Sequence, residues 1–288
     1  MIHALHGHAG LPDDLMPLLR FAGQPFQEWH LWRTLTNHPE SASLDGFATL
    51  LNDTASHDGH HLRILLGYSL GGRLALHALT QQPQMWDAAI ILSAHPGLST
   101  DEERAGRLTH DQAWAAHFLH DSWPEVMAAW NDQAVFRSST FQSRVECADL
   151  ALDFGAGAKR RETAAGSPKG ERSESKSSYL ESWREQIALG FDVWSLGRQQ
   201  DLRPRLASVA CPVLWLTGVR DEKFTALAAE ACDLLPRARH VIIPNAGHRV
   251  HLDQPDAVAE VIAAFLRSYC TADGLETGKP VAASGASS

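Results

Sequence analysis

The sequence has few cysteines, and no two of them stand at the spacing of a metal or redox motif. The four, Cys147, Cys211, Cys232 and Cys270, are widely separated in a chain of 288 residues. Zinc sites and redox-active disulfides need cysteines within a few residues of each other. We therefore expect isolated thiols in a reducing compartment.

Long apolar runs and positive net charge are also missing. No stretch approaches the roughly 20 apolar residues that cross a bilayer, and the N-terminal MIHALHGHAG lacks the pattern of a signal peptide. The formal net charge of −9 argues against nucleic-acid binding, which depends on neutralising phosphates. We expect a cytoplasmic protein, a monomer or small homo-oligomer, with no membrane or nucleic-acid partner. An anionic small molecule stays compatible, since a pocket can be locally basic on an acidic protein.

The sequence does contain short apolar runs that alternate with amphipathic stretches. The apolar runs predict strands at Ile2–Leu5, Phe26–Leu31, Leu62–Leu66, Ala88–Leu92, Val213–Leu216 and His240–Ile243. Helical periodicity marks Asp13–Arg20, Leu44–Leu51, Gly71–Leu79, Ala226–Leu234 and Ala257–Tyr269. This alternation predicts an α/β fold, with a mostly parallel sheet and helices on both faces.

The alternation stops between residues 99 and 205, where the chain is helix-like and rich in tryptophan. We predict that residues 1–98 and 206–270 form the core and that 99–205 form a helical cap over the carboxyl edge of the sheet. The polar run 155–178 has too few apolar residues to bury much surface, and we predict a mobile loop there. Residues 271–288 are predicted to be a disordered tail.

The strongest motif is Gly-Tyr-Ser-Leu-Gly at residues 67–71, between a predicted strand and a predicted helix. This G-x-S-x-G pattern in a strand–turn–helix setting is typical of a nucleophile elbow. Small residues on both sides let neighbouring segments approach a strained serine. Its hydroxyl then lies at a helix N-terminus, which stabilises developing negative charge. Ser69 is therefore the candidate catalytic serine.

A serine needs a base, and two later turns supply candidates. Asp221 follows the strand-like PVLWLTG, and His248 follows the strand-like HVIIP. The order Ser, Asp, His, each after a separate strand, is that of the α/β-hydrolase fold. An Asp after a strand is more often a helix cap, and His251 is a second candidate for the base.

Two backbone amides are predicted to form the oxyanion hole. One belongs to Leu70, the residue after the serine, and the other to His8 in the early loop His6-Gly7-His8-Ala9-Gly10. The alternative is a simple glycine-rich turn. A metal site from His3, His6 and His8 is a weaker alternative, because no further ligand stands at helpful spacing. We expect neither a metal nor a cofactor.

These motifs resemble those of the α/β-hydrolase superfamily over nearly the whole chain. The resemblance implies an N-terminally shortened form of that fold, because the first predicted strand already carries the HG loop. A closer resemblance is to the 2-succinyl-6-hydroxy-2,4-cyclohexadiene-1-carboxylate synthases of menaquinone biosynthesis. It is carried by GYSLGGR at the elbow, by His95–Leu98, Glu103–Arg107 and Trp130 to Phe136, by Gly197-Arg-Gln, and by Arg220–Phe224. One departure is Asn131, where some members have Tyr.

The resemblance implies the elimination of pyruvate from a cyclohexene that bears an enolpyruvyl ether and a succinyl chain. Three carboxylates on that substrate need cationic partners, and Arg forks match carboxylates bidentately. The positions implied to bind the substrate are Tyr68, Arg73, Arg107, Trp130, Arg184 and Lys223.

Two other functions stay open. A serine hydrolase acting on an ester, thioester or carbon–carbon bond would use Ser69 as a nucleophile, with an apolar acyl pocket in the case of a carboxylesterase. A degenerate hydrolase that only binds a ligand would have no need for Ser69, Asp221 and His248 in this order.

Overall fold

The computed structural model describes residues 1–139 and 175–269, and within them six strands form one parallel sheet. The strand order is β2-β1-β3-β4-β5-β6. The strands are β1 (Ile2–Leu5), β2 (Phe26–Trp29), β3 (Ile64–Tyr68), β4 (Ala88–Leu92), β5 (Val213–Gly218) and β6 (Ala238–Ile243). Because every neighbouring pair is parallel, the carboxyl ends of all six meet at one edge.

The sheet is buried on both faces, as the unbroken apolar runs predict. Along β3, Leu65 packs into one hydrophobic cluster, while Ile64 and Leu66 pack into another on the opposite face. β4 alternates in the same way, with Ile91 in the first cluster and Ile90 in the second. Successive side chains of a strand point to opposite faces, so two layers of helices are needed to cover them. The predicted α/β fold is confirmed.

The helices of the core connect the strands along the chain or follow the last one. They are α1 (Met16–Ala22), α2 (Leu31–Asn37), α3 (Leu44–Ser56), α4 (Leu70–Gln81), α11 (Glu222–Leu234), α12 (Val250–Asp253) and α13 (Pro255–Tyr269), with 3₁₀ turns at Pro12–Leu15 and Pro39–Ser41. The predicted strand over Phe26–Leu31 is too long by two residues. His30 instead begins α2, because its imidazole accepts a hydrogen bond from the amide of Arg33.

Between β4 and β5 the described residues are helical. The helices are α5 (Asp101–His120), α6 (Trp123–Asn131), α7 (Ala134–Arg137), α8 (Lys176–Glu181), α9 (Arg184–Val193) and α10 (Arg203–Leu206). Phe118, Trp130 and Phe191 pack their rings against one another within 6.0 Å. The aromatic side chains of this segment thus pack together and continue the hydrophobic cluster on one face of the sheet.

The predicted mobile loop at 155–178 falls mostly outside the described residues, as does the predicted tail at 271–288. The last residues of the predicted loop are not in a loop, because α8 begins at Lys176 with Ser175 as its N-cap. Lys176 is buried and forms an ion pair with Asp14, 162 residues earlier in the chain. That pair holds a charged segment against the core, which a local count of apolar residues does not predict.

We find no helix among the described residues with the length and apolar character required to span a membrane.

Candidate active site

Ser69 lies at a sharp turn between β3 and α4. Its backbone has φ 51° and ψ −107°, a region that non-glycine residues rarely adopt. The turn is closely packed: a Cβ on Gly67 would lie 2.4 Å from the carbonyl oxygen of Gly71, and one on Gly71 would lie 2.1 Å from that of Leu5. Only glycine fits at these two positions, which is the physical reason for the G-x-S-x-G spacing.

A chain of hydrogen bonds links Ser69 to two other strand ends. The Nδ1 of His248 lies 2.7 Å from Oδ2 of Asp221, and its Nε2 lies 3.2 Å from Oγ of Ser69. A carboxylate only accepts, so Nδ1 carries the proton and Nε2 is left to accept from the hydroxyl. Both His248 and Asp221 are buried. The structure therefore brings together the three predicted catalytic residues in the geometry of a general base.

His251, the second candidate for the base, lies nearby without joining this chain. Its ring packs 4.2 Å from the ring of Tyr68, and neither of its nitrogens has a hydrogen-bond partner within the described part of the chain. Burial lowers its pKa to about 4, so the ring is neutral at pH 7. His248 is the histidine positioned to take a proton from Ser69.

The two predicted oxyanion amides border the same site. Leu70 is the first residue of α4, where amide groups have no acceptor inside the helix. The amide of Gly71 donates to the carbonyl of His6 at 3.1 Å, which ties the early loop to the elbow. Leu70 and His8 both line the cavity around Ser69. Their assignment as oxyanion donors stays a prediction.

Ser69 opens into a cavity of about 650 Å³. Its wall combines residues at the carboxyl ends of the strands with residues of the helical segment between β4 and β5. The cations in this wall are Arg73, Arg107, Arg220, Lys223 and Arg249. A cavity of this size holds a substrate of several functional groups.

Arg73 is a buried cation with neutral partners. It is 8% exposed, and its guanidinium donates to Oε1 of Gln199 at 3.1 Å and to the carbonyl of Trp194 at 2.8 Å. Burial, with a contribution from Arg107, lowers its pKa to about 9, which still leaves it charged at pH 7. A buried charge without a counter-ion is costly, so this position favours an anionic ligand.

Arg107 also lines the cavity but already has an anionic partner. Its Nε lies 2.7 Å from Oδ1 of Asp111, one helical turn along α5, and its side chain is 38% exposed. The other oxygen of Asp111 accepts from Ser195 Oγ at 2.7 Å. The positive charge of Arg107 is therefore partly compensated, which distinguishes it from Arg73.

The remaining predicted binding residues separate into two groups. Tyr68, Trp130 and Lys223 line the cavity. Arg184 does not belong there: its guanidinium donates to the carbonyl oxygens of Phe118 and Asp121 at the end of α5. Those carbonyls have no partner inside their helix, and Arg184 satisfies them. The structure therefore gives Arg184 a structural contact in place of the predicted position at the cavity, and its role in substrate binding stays a prediction.

The early histidines do not converge on a common point. His3 pairs with Asp58, while His6 accepts from the amide of Leu31 and His8 bonds to the carbonyl of Ile187. The His8 ring also packs on Phe191 with centroids 3.7 Å apart. Burial, followed by the charge of Arg73, lowers the pKa of His8. His3, His6 and His8 therefore bond to three different partners, and this arrangement does not favour the alternative of a shared metal site.

The sequence analysis missed Arg249, the residue after His248. It is 4% exposed and lines the cavity, and its Nη2 donates to Oδ1 of Asn131 at 2.6 Å. Its guanidinium also stacks 3.9 Å from the ring centroid of Phe136. The signal available in the sequence was the departure at Asn131, whose amide oxygen accepts from this residue 118 positions away.

Comparisons with known proteins agree with this geometry. The model of the alpha/beta hydrolase family matches residues 4–261. The 2-succinyl-6-hydroxy-2,4-cyclohexadiene-1-carboxylate synthase of Salmonella typhimurium is 34% identical over 284 residues, which cover 93% of this chain and 99% of the relative. The enzyme of the same name from Pectobacterium atrosepticum is 33% identical over 271 residues, 91% of this chain and 92% of the relative.

A solved structure carries the same fold. The structure of MenH from S. aureus superposes with a TM-score of 0.73 at 19% identity and covers 92% of each chain. The predicted resemblance to the α/β hydrolases and to these synthases is confirmed.

Proposed function

Because the chain belongs to the alpha/beta hydrolase family, we propose that its Ser69–His248–Asp221 triad serves a 2-succinyl-6-hydroxy-2,4-cyclohexadiene-1-carboxylate synthase. The substrate would be 2-succinyl-5-enolpyruvyl-6-hydroxy-3-cyclohexene-1-carboxylate, and pyruvate would be the second product. The observation that carries this proposal is the position of Arg73. Its buried guanidinium has neutral hydrogen-bond partners and lines the cavity into which Ser69 opens.

The charge of the substrate matches the cavity. The substrate bears three carboxylates, and the wall holds Arg73 and Lys223, with Arg107 at its edge. Arg forks bind carboxylates through two parallel hydrogen bonds, and burial strengthens such pairs. An acyl pocket for a simple ester has no need of a buried, uncompensated cation.

The triad supplies a base for the first step. The ring carbon C2 lies next to the ketone of the succinyl chain, so its C–H bond is acidic. Ser69 Oγ, 3.2 Å from Nε2 of His248, takes this proton as its own proton passes to the imidazole. Asp221 stabilises the imidazolium that forms. The negative charge that develops on the ketone oxygen is held by the amides of His8 and Leu70.

The elimination then proceeds by the movement of three electron pairs around the ring. The pair left at C2 forms the C2=C3 bond, the ring double bond moves to C4=C5, and the bond from C5 to the ether oxygen breaks. The departing enolate takes up one proton and becomes pyruvate, so one proton leaves carbon and one returns. No water is consumed, and no covalent bond forms to Ser69.

A serine hydrolase is the second candidate. The same hydrogen-bond chain activates a nucleophile as well as a base, since both need the hydroxyl proton to move to His248. The two functions differ in the fate of Ser69 and in the need for Arg73.

The test is a parallel assay of the purified protein. Pyruvate release from the enolpyruvyl cyclohexene is followed with a coupled dehydrogenase, and p-nitrophenyl acetate is offered in a separate sample. We expect rapid pyruvate release that is lost in Ser69→Ala, with little ester cleavage. Ester cleavage without pyruvate would overturn the synthase and favour the hydrolase.

A further inference from the structure

The contacts that hold the Arg249 guanidinium at the cavity, among the described residues, are with the neutral side chains of Asn131 and Phe136. Nη2 donates to the amide oxygen of Asn131 at 2.6 Å, and the guanidinium plane lies over Phe136. Nη1 is buried and has no hydrogen-bond partner within residues 1–139 and 175–269. One donor group of a 4% exposed arginine that lines the cavity therefore has no partner in the described part of the chain.

The surroundings of Arg249 differ from those of Arg73. Arg73 is fixed by Gln199 and Trp194, whereas Arg249 is fixed by Asn131 and Phe136. Phe136 itself packs against the ring of His248 with centroids 5.8 Å apart. The cavity thus has two buried guanidinium positions with separate supports, and one of them adjoins the catalytic base.

Each of these guanidinium groups loses hydration on burial, and this loss is unfavourable when the hydrogen-bond partners are neutral. A ligand with a carboxylate at each position removes both costs. Asn131 orients Arg249 through a neutral oxygen, and the positive charge stays available. An aspartate at the same place would supply the counter-ion internally.

We infer that Arg249, oriented by Asn131, binds one carboxylate of the substrate beside His248, while Arg73 binds another. The identity of the ligand rests on the proposed function. The role is substrate binding and specificity, because the guanidinium of Arg249 bonds to Asn131 and stacks on Phe136, and does not donate to Ser69, His248 or Asp221 in the described part of the chain. The Asn131–Arg249 pair is thus a specificity determinant that the family resemblance does not include.

Three variants test the inference by the kinetics of pyruvate release. Arg249→Gln removes the charge, and Asn131→Asp keeps the arginine but neutralises it with an adjacent carboxylate. The matched control is Arg137→Gln, the same change at an exposed arginine that pairs with Asp132. We expect KM to rise about tenfold or more in both test variants, the loss of a charged hydrogen bond, with kcat little changed. The control should match the wild type.

An unchanged KM in both test variants would overturn the inference. So would a fall in kcat alone, because that result would indicate that Arg249 only positions His248. Asn131→Asp changes one atom type and keeps the side-chain shape, so it stays informative if Arg249→Gln fails to fold.

A second readout separates this inference from the proposed function. Phenylmethylsulfonyl fluoride labels the activated Ser69, and tricarballylate serves as a three-carboxylate probe that protects it. We expect protection of the wild type and of Arg137→Gln, and protection weakened about tenfold in Arg249→Gln. If the wild type releases no pyruvate but shows this pattern, the synthase fails and the carboxylate site stands. Equal protection of all variants, or none of the wild type, would overturn the site.

Discussion

The triad and the cations of the cavity wall face the same cavity, but they differ in their hydrogen-bond partners. In the triad the three side chains bond to one another: Asp221 accepts from His248, and His248 accepts from Ser69. In the wall, Arg73 and Arg249 are bound by neutral oxygens and keep their charge. The triad thus forms its hydrogen bonds within the protein. The two arginines have neutral partners there, which leaves them suited to an anionic ligand.

The largest effect should come from breaking the triad. We expect Ser69→Ala and His248→Ala each to lower kcat by about 10⁴-fold or more, as is typical of residues that act as one unit. The measurement is pyruvate release, with circular dichroism melting to show that the fold is intact. Ser56→Ala, a surface serine at the end of α3, is the control. Substantial activity in either triad variant would remove the base assignment.

The next effect should separate two of the arginines that line the cavity, Arg73 and Arg107. Arg73→Gln should weaken substrate binding by about 1.5–3 kcal/mol, because the hydrogen-bond partners of its guanidinium, Gln199 and Trp194, are neutral. Arg107→Gln should cost only about 1 kcal/mol or less, because Asp111 already engages this half-exposed side chain. Michaelis constants for pyruvate release give both values. Equal losses at the two positions would contradict the distinction between a compensated and an uncompensated cation.

Acid should affect the stability of the protein. Burial lowers the pKa of His95 to about 3 and that of four further histidines to about 4: His6, His30, His77 and His251. The folded values lie below the unfolded value of 6.5, so the unfolded chain binds more protons in this window. The free energy of unfolding should be highest above pH 6.5 and fall as the pH drops toward 4.

Each of these histidines contributes at most about 1.4 kcal/mol per pH unit to that fall. Urea unfolding at pH 7.5, 6 and 5 measures the slope, and His251→Asn should make it shallower. A free energy of unfolding that stays constant between pH 7 and 5 would show that these rings are not buried in the neutral form.

The smallest effect on binding is expected at Arg184. Arg184→Gln should leave KM unchanged, since its guanidinium is engaged with backbone carbonyls at the end of α5. Stability should fall by about 1 kcal/mol with the lost hydrogen bonds. A comparison of KM with the melting temperature checks this prediction. A raised KM with unchanged melting would restore Arg184 to the binding site.

The difference between triad and wall also explains what the sequence could predict. Ser69, Asp221 and His248 each follow a strand, and parallel strands bring their carboxyl ends together, so local patterns were enough to identify them. The strands themselves were recognisable as buried apolar runs, most of them to within two residues.

The wall depends on contacts between distant residues. Arg249 follows the catalytic histidine in the chain, but its direction is set by Asn131, 118 positions away. Arg184 points to carbonyls more than 60 positions earlier, and Lys176 is held by Asp14 from the other end of the core. A pattern of residue types along the chain contains no information on these pairings, so a cation's presence could be predicted but not its partner.

The most direct test of the account is the intact mass of the enzyme during turnover. The protein is quenched in acid while it releases pyruvate from the enolpyruvyl cyclohexene, and its mass is compared with that of the resting enzyme. The account predicts that pyruvate accumulates and that the mass stays unmodified, because Ser69 acts as a base. A covalent adduct on Ser69, or the absence of pyruvate, would contradict it.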